Sequence, residues 1–442
     1  MTTPRRARPA DAAARYLTAR TRLGVKFGLE TIRAVLERMG RPQSSFKTLL
    51  VAGTNGKGSV VAYVDAALRA SGLRVGRYTS PHLERVNERI AVGGRDIPDR
   101  ALRAAVLRVR DTAAVLVREG AIPGHPTYFE VLTAAAFAHF RDRAVDVAVL
   151  EVGMGGRLDA TNVAEPLASA IVSVDLDHQA YLGRTRARIA REKAGVLRRG
   201  RATVLGPMAD DARRAIAEVA RPLRARLVDA RRGCAVELGP GGIDLRTPRG
   251  RYRGIRPLPG RHQVDNVMVA VRLLEEARGA GLAFDAAALP RALGAARWPG
   301  RLEKIGGRPP VLLDGAHNPA AARALRDHLR GIGPFVLVFG AMRDKDIAGM
   351  ARVLFPLARA VVLTRSRVDR AATPAEIAER AGTLAAGARR EDSPRRALRW
   401  ASRRAGEDAT VVVAGSLFLV GALRAAAVAA GRQRGGASKP PM

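Results

Sequence analysis

Short β-rich apolar runs alternate with helical stretches along nearly all of this chain, and that alternation restricts its fold more than any other feature. A strand that returns parallel to its predecessor needs a crossover, normally a helix, so the pattern predicts α/β architecture built on parallel sheets. Thr48–Ala52 reads as a strand feeding a glycine-rich loop, with Val60–Ala70 as the helix behind it. Val145–Leu150 and Ala170–Val174 read as further strands with polar residues at their ends. Ligands of parallel sheets gather at the carboxyl ends of strands, so the chemistry is expected there. The stretch 201–260 is richer in Gly, Pro and Arg and is read as peripheral strands and connections.

Arg297-Trp-Pro-Gly-Arg301 cannot continue a helix and marks a break. Beyond it the alternation restarts, with strands expected at Val311–Leu313, Phe335–Phe339, Ala360–Leu363 and Thr410–Val413. A length of 442 residues suits about two or three domains. The expected organisation is a first α/β domain over 1–297, a smaller Rossmann-like α/β domain over 298–430, and a disordered polar tail over 431–442.

Composition narrows the function classes. The formal net charge is +35, from 76 Lys plus Arg against 41 Asp plus Glu, and all but seven of the basic residues are arginine. They are dispersed, and aromatics make up only 4% of the chain, which disfavours a single-strand binder with stacking platforms. The field still favours polyanions such as nucleotides and multiply carboxylated substrates. One cysteine, Cys234, excludes an internal disulfide framework and suits a reducing compartment. The N-terminal stretch lacks the apolar core of a secretory signal, and no run reaches the roughly 18 apolar residues of a membrane span. A soluble cytoplasmic protein is the expectation.

The strongest local signal is Gly53-Thr-Asn-Gly-Lys-Gly-Ser59, between a predicted strand and a predicted helix. Glycines allow backbone N–H groups to wrap a phosphate, the helix N-terminus adds partial positive charge, and Lys57 neutralises phosphate oxygens. The spacing is two residues shorter than the usual phosphate loop, and Gly58 precedes the hydroxyl of Ser59. ATP binding through Gly53, Thr54, Asn55, Gly56, Lys57, Gly58 and Ser59 is the leading reading. Glu151 ends the next strand, ahead of Gly153, Gly155 and Gly156, where a phosphate-loop ATPase holds its metal with an acid. Asp177-His178 ends another strand and offers further metal-ligand types. Taken alone, Lys193 reads as an ordinary surface lysine. In the second domain Asp314 and His317 face a strand-end crevice, Asn318-Pro319 reads as a helix cap, and Ser416 as a cap or an anion contact.

Together these motifs resemble a known family. Val51–Ser59, Tyr78-Thr-Ser-Pro-His-Leu83, Tyr128-Phe-Glu130, Glu151–Asn162 and Asp177-His178 are similar to segments of dihydrofolate synthase and folylpolyglutamate synthase, members of the Mur ligase superfamily. Arg191-Glu-Lys-Ala-Gly195, Pro299-Gly-Arg301, Asp314–Pro319 and Asp344-Lys-Asp346 continue the match in order. The resemblance runs from about Tyr16 to about Leu423.

The resemblance implies a Mur-type ATPase domain followed by a glutamate-ligase domain. The implied activity is ATP-dependent amide formation through an acyl phosphate, adding L-glutamate to dihydropteroate and to reduced folates. It places Asn266, Arg301 and Asp314 with the ATP-binding loop, and Ser59, Ser80, Glu151 and His178 on Mg²⁺. It matches Lys193 to a lysine that becomes a carbamate, so Lys57, Lys193, His178 and Glu151 form the implied catalytic set. Thr127, Tyr128, Phe129 and Glu130, with Leu158, Asp159 and Ala160, correspond to the dihydropterin-binding region, and His317 and Ser416 are candidate glutamate contacts. A monomer without nucleic-acid or membrane partners is the family expectation. Three positions depart from the common pattern: Met154 for Leu, Gln179 for Thr, and Lys26 where some members carry an acid. Lys26 reverses a charge beside the expected pterin. Alternative readings are a folylpolyglutamate synthase lacking the dihydropteroate activity, a ligase of UDP-linked cell-wall substrates, and a basic nucleic-acid-binding ATPase.

Overall fold

The computed structural model describes residues 11–21 and 28–435, and these divide into two compact units. Of the described residues, the first takes in 11–21, 28–82, 87–256 and 265–296, and the second 83–86, 257–264 and 297–435. Gly24-Val-Lys26, singled out in the sequence, lies outside the described residues.

The first unit is built on an eight-stranded sheet. Its strands are β1 (Lys47–Ala52), β2 (Val75–Tyr78), β3 (Ile90–Val92), β4 (Arg95–Asp96), β5 (Val147–Glu151), β6 (Ala168–Ile171), β7 (Ala202–Leu205) and β8 (Arg226–Asp229), in the order β4-β3-β2-β5-β1-β6-β7-β8. From β2 to β8 neighbouring strands pair in parallel; β3 and β4 add antiparallel at one edge. The central strands are apolar on both faces, as a sheet covered on both sides requires: β5 is buried throughout and β1 after Lys47. The helix Tyr128–Asp142 explains part of that cover, since Glu130 to Phe140 is buried without interruption.

The 201–260 segment is more ordered than its composition suggests. It supplies β7, the helix Asp210–Leu223 and β8 to the main sheet, then an antiparallel sheet of β9 (Ala235–Gly239), β10 (Gly242–Thr247) and β11 (Gly250–Ile255). The helix escaped the sequence reading because its buried stripe is Ala212, Ala215, Ile216 and Ala220, a weak apolar signal among arginines. The small sheet is tied to the helix His262–Gly279 through Glu275. Its Oε1 accepts from Thr247 Oγ1 at 2.5 Å and Tyr252 Oη at 3.0 Å, and its Oε2 from Arg272 Nη1 at 2.7 Å.

In the second unit, β12 (Glu303–Ile305), β13 (Val311–Leu313), β14 (Phe335–Phe339), β15 (Ala360–Leu363), β16 (Arg389–Arg390) and β17 (Thr410–Ala414) form a sheet ordered β12-β13-β17-β14-β15-β16. Side chains alternate across it. Leu337 and Phe339 join a core with Leu325, Met350 and Ile377, whereas Val336 and Val338 join another with Ala397, Ala401 and Leu423. The helix Leu417–Gly435 carries regular structure into the stretch expected to be tail, because its Ala-rich turns propagate helix past Gly431. Residues 436–442 are outside the described set.

Replacing Glu275 by Ala would leave the Arg272 guanidinium, itself 7% exposed, without its carboxylate. A loss of about 3–5 kcal/mol is expected in urea unfolding monitored by circular dichroism; a loss below about 1 kcal/mol would show that the network carries no weight.

Candidate active site

Strand register brings the sequence candidates of the first unit to one level. Val51 of β1 lies opposite Glu151 of β5, Ala52 opposite Ile171 of β6, and Tyr78 of β2 opposite Leu150. The carboxyl ends of four adjacent parallel strands therefore finish together, and the loops leaving them share one rim.

The loop after β1 is clamped to the chain leaving β6. Thr54 N–H donates to Ser173 O at 2.9 Å, and Asn55 N–H to Ser173 Oγ at 2.9 Å. Thr54 Oγ1 donates to Asp175 O at 3.2 Å. Gly56, the N-cap of the helix Lys57–Ala70, has φ +84°. A Cβ there would stand 2.5 Å from Asn266 Oδ1 and 2.7 Å from Val172 Cγ1, so glycine is needed for both backbone angle and close approach. Asn266, on the helix His262–Gly279, is thus held against the loop. Lys57 Nζ donates to the loop's own carbonyls, Gly53 O at 3.0 Å and Thr54 O at 3.4 Å.

Glu151 is 5% exposed and its Oε2 accepts Ser80 N–H at 3.2 Å, which joins two proposed metal ligands from adjacent strands. His178 stands in the left-handed region, φ +50°, with its N–H donating to Asp177 Oδ1 at 2.8 Å. Among the described residues no three His, Cys, Asp or Glu side chains gather as a metal cage. A set of two hydroxyls, one carboxylate and one imidazole still fits Mg²⁺, which commonly takes one or two carboxylates and completes its shell with water and substrate phosphates.

Lys193 is the largest departure from the local sequence reading. It lies near the end of the helix Arg186–Ala194, where sequence alone suggested a solvated side chain, yet it is only 3% exposed. Burial first, and the Lys57 ammonium second, pull its pKa down to about 7, with Asp177 and Asp159 opposing. The helix reaches this position because the glycine loop presses against it. A Cβ on Gly156 would lie 2.8 Å from Lys193 O and 2.9 Å from Glu192 O. Arg157 N–H donates to Glu192 O at 2.9 Å, and Asn162 Nδ2 to Gly195 O at 3.0 Å.

Some candidates carry structural duties. Asp159 is buried, which raises its carboxyl pKa, and its oxygens accept from Met154 N–H at 3.0 Å, Thr161 N–H at 3.0 Å and Thr161 Oγ1 at 2.6 Å. It fixes the glycine loop and caps the turn at Ala160. Thr127 and Glu130 form a capping box on the helix Tyr128–Asp142: Glu130 N–H donates to Thr127 Oγ1 at 3.3 Å, and Thr127 N–H to Glu130 Oε2 at 2.8 Å. The Thr-x-x-Glu spacing carried that signal in the sequence. Tyr128, Phe129 and Leu158 are partly exposed beside them, and the Phe129 ring packs on Gly153.

His82 and Arg89 were not singled out by role in the sequence. Arg89 Nε donates to His82 Nδ1 at 3.0 Å, and burial together with the guanidinium holds the imidazole neutral, down to about 4.

In the second unit Asp314 accepts Leu302 N–H and Ala316 N–H, both at 2.9 Å, and so fixes the turn carrying Arg301. His317 Nδ1 meets Gly315 O at 2.8 Å. Asn318 Oδ1 caps the helix Pro319–Leu329 through Ala321 N–H at 2.9 Å. Ser416 Oγ accepts Phe418 N–H at 3.1 Å, the capping role expected of it.

Comparison with known proteins identifies the family. Residues 51–274 match the Mur ligase middle domain and residues 300–417 the Mur ligase glutamate ligase domain. The dihydrofolate synthase/folylpolyglutamate synthase of Bacillus subtilis is 33% identical over 420 residues, covering 92% of this chain and 97% of its own length. This chain belongs to that family of Mur ligases. A Haloferax volcanii relative, named "Probable bifunctional folylpolyglutamate synthase/dihydropteroate synthase", is 38% identical over 93% of the chain, and the chain spans about half its length, 50%. Among solved structures, Mycobacterium tuberculosis folylpolyglutamate synthase complexed with ADP and AMPPCP superposes with a TM-score of 0.87 at 32% identity, covering 98% of this chain and all of that one. Escherichia coli FolC in complex with DHPP and ADP gives 0.86 at 30%, over 97% and 99%. A Yersinia pestis bifunctional enzyme with Mn, AMPPNP and L-glutamate bound gives 0.83 at 33%, over 96% and 99%. No described helix is long and apolar enough to cross a membrane.

The lowered Lys193 pKa sets a pH dependence. In the unfolded chain the amine binds its proton up to the ordinary lysine range, and in the folded one only below about 7. Between those values the unfolded state holds more protons, so stability rises with pH there and the cost of the buried ammonium is greatest below 7. A Lys193→Met variant should therefore exceed wild type in urea midpoint at pH 6, by a gap that narrows as pH rises above 7 and closes only near the ordinary lysine value; a gap constant from pH 6 to 10 would show that folding leaves the titration of Lys193 unchanged.

Proposed function

We propose that this protein is an ATP-dependent ligase that joins L-glutamate to dihydropteroate, giving dihydrofolate, and to reduced folates, giving polyglutamates. The observation that carries the reading is the gathering of the Lys57 loop, Glu151 and the buried Lys193 at one end of a parallel sheet, in a chain of this family. Residues 1–297 carry the ATP- and pterin-binding part and 298–430 the glutamate-ligase part.

The backbone amides of Gly53 to Ser59 and the Lys57 ammonium take the ATP phosphates. Lys57 now rests on neutral carbonyls, partners that an anionic phosphate outcompetes. Ser59, Ser80, Glu151 and His178 hold a divalent ion, taken as Mg²⁺, which when bound neutralises phosphate charge. An oxygen of the acceptor carboxylate attacks the terminal phosphorus, the bond to the leaving ADP breaks, and an acyl phosphate forms. The amine of L-glutamate then attacks the acyl carbon, phosphate departs, and the nitrogen gives up a proton as the amide forms. Excluding water from the acyl phosphate is what a protein site adds here. Arg301, Asp314 and Asn266 are assigned to ATP, Tyr128, Phe129 and Leu158 to the pterin, and His317 and Ser416 to glutamate. Thr127, Glu130 and Asp159 shape that pterin wall from behind.

Lys193 acts as a carbamate. A buried amine with a depressed pKa offers its lone pair near neutral pH, so it can add to CO₂, release a proton and become an anion. That change turns its repulsion with Lys57 into attraction and presents oxygen toward the metal ligands. The protein works as a cytoplasmic monomer and without nucleic acid, the last point supported by dispersed arginines and few aromatics.

The deciding assay is phosphate release with ATP, Mg²⁺ and L-glutamate, comparing dihydropteroate, tetrahydrofolate and no acceptor, with products weighed by mass spectrometry. Each acceptor should gain one glutamyl unit; activity with tetrahydrofolate alone would reduce the protein to a folylpolyglutamate synthase. Lys57→Ala should lower turnover by about 10³-fold or more while leaving the circular dichroism spectrum intact. Lys193→Ala should be similarly impaired and partly rescued by a small carboxylic acid. Rescue failing in a folded variant would remove the carbamate.

A further inference from the structure

Arg89 is a buried cation with its fork left open. The residue is 7% exposed, and its Nε is committed to His82 Nδ1 at 3.0 Å. Its guanidinium carbon stands 5.3 Å from the centroid of the Tyr128 ring. Among the described residues no carboxylate pairs with it, and no hydrogen bond takes up its two terminal nitrogens, which are not sealed from solvent. A guanidinium so withdrawn from water gains strongly from an anion, and a carboxylate matches its planar fork with two parallel hydrogen bonds.

Its position says which anion. The Arg89 carbonyl accepts Thr79 N–H at 2.9 Å, one residue before Ser80, whose N–H reaches Glu151 at 3.2 Å. Tyr128, under the guanidinium, opens the helix beside the wall assigned to the pterin. The backbone bond to Thr79 and the contact with Tyr128 therefore put Arg89 in the interval from the strand end carrying Ser80 to the pterin wall. Resting on the ligase reading above, that interval is where the glutamyl group of a folate acceptor must lie.

We propose that Arg89 is a carboxylate clamp: its two terminal nitrogens hold the carboxylate of the acceptor's glutamyl group that is not activated, with His82 and Tyr128 fixing the orientation of the fork. Dihydropteroate has one carboxylate, which is consumed by activation, whereas tetrahydrofolate keeps a second. Arg89 thus sets how strongly the protein prefers folates over dihydropteroate.

The test compares kcat/KM for dihydropteroate, tetrahydrofolate, and tetrahydrofolate with its non-reacting carboxylate converted to the amide, in wild type, Arg89→Lys and Arg89→Gln. Wild type is expected to favour the acid over the amide by about tenfold or more, since a charged fork loses a charged partner. Arg89→Gln should abolish that preference and cut the tetrahydrofolate value at least tenfold more than the dihydropteroate value, with Arg89→Lys between. Acid and amide equal in wild type would overturn the clamp without recourse to any variant. An equal fall for both acceptors in Arg89→Gln would also overturn it, placing Arg89 on the transferred phosphoryl group instead. Wild type inert toward both acceptors would overturn the ligase reading, and the clamp with it.

Discussion

Parallel pairing of β1 between β5 and β6 is the constraint on which the first unit's chemistry depends. Because Val51 faces Glu151 and Ala52 faces Ile171, the three chains leave the sheet at one height. A phosphate loop, a metal-type carboxylate and the Asp177-His178 turn then emerge side by side without long loops to position them. The clamp between Thr54, Asn55 and Ser173 continues that pairing beyond the strands, so the loop is held by backbone before any ligand arrives. Preorganised donors of this kind need little rearrangement at the moment of reaction.

The site's second determinant is close packing without side chains. Gly156 and Gly195 let the loop after β5 lie flush on the end of the helix Arg186–Ala194, and Asp159 holds the loop there through three donors. This contact takes Lys193 out of water. An ammonium so placed, with Lys57 near it, is an unstable arrangement for a structural lysine and a suitable one for a reactive amine. Packing and reactivity are here the same fact.

Much of this was legible in the chain. Strand–glycine loop–helix order located the Lys57 loop, and apolar runs located β1, β5, β6 and the four central strands of the second unit within a few residues. Caps read from local chemistry, at Asn318 and Ser416, stand where expected because a cap depends on neighbours two or three residues away. Thr127 and Glu130, which the resemblance matches to the pterin region, also have the spacing of a capping box, and they form one. The helix Asp210–Leu223 went unread because alanine marks a buried face only faintly.

What the sequence determined by itself was the set of elements, their alternation and the chemical types at strand ends, since periodicity, glycine freedom and capping are properties of short stretches. Only the tertiary structure decided that Lys193 is buried, that Asn266 rests on Gly56, and that Arg89 keeps an open fork over Tyr128. Lys193 and Lys57 are separated by well over a hundred residues, and Asn266 and Gly56 by more still. Burial and proximity at such separations are set by how sheets and helices pack, which no local pattern encodes.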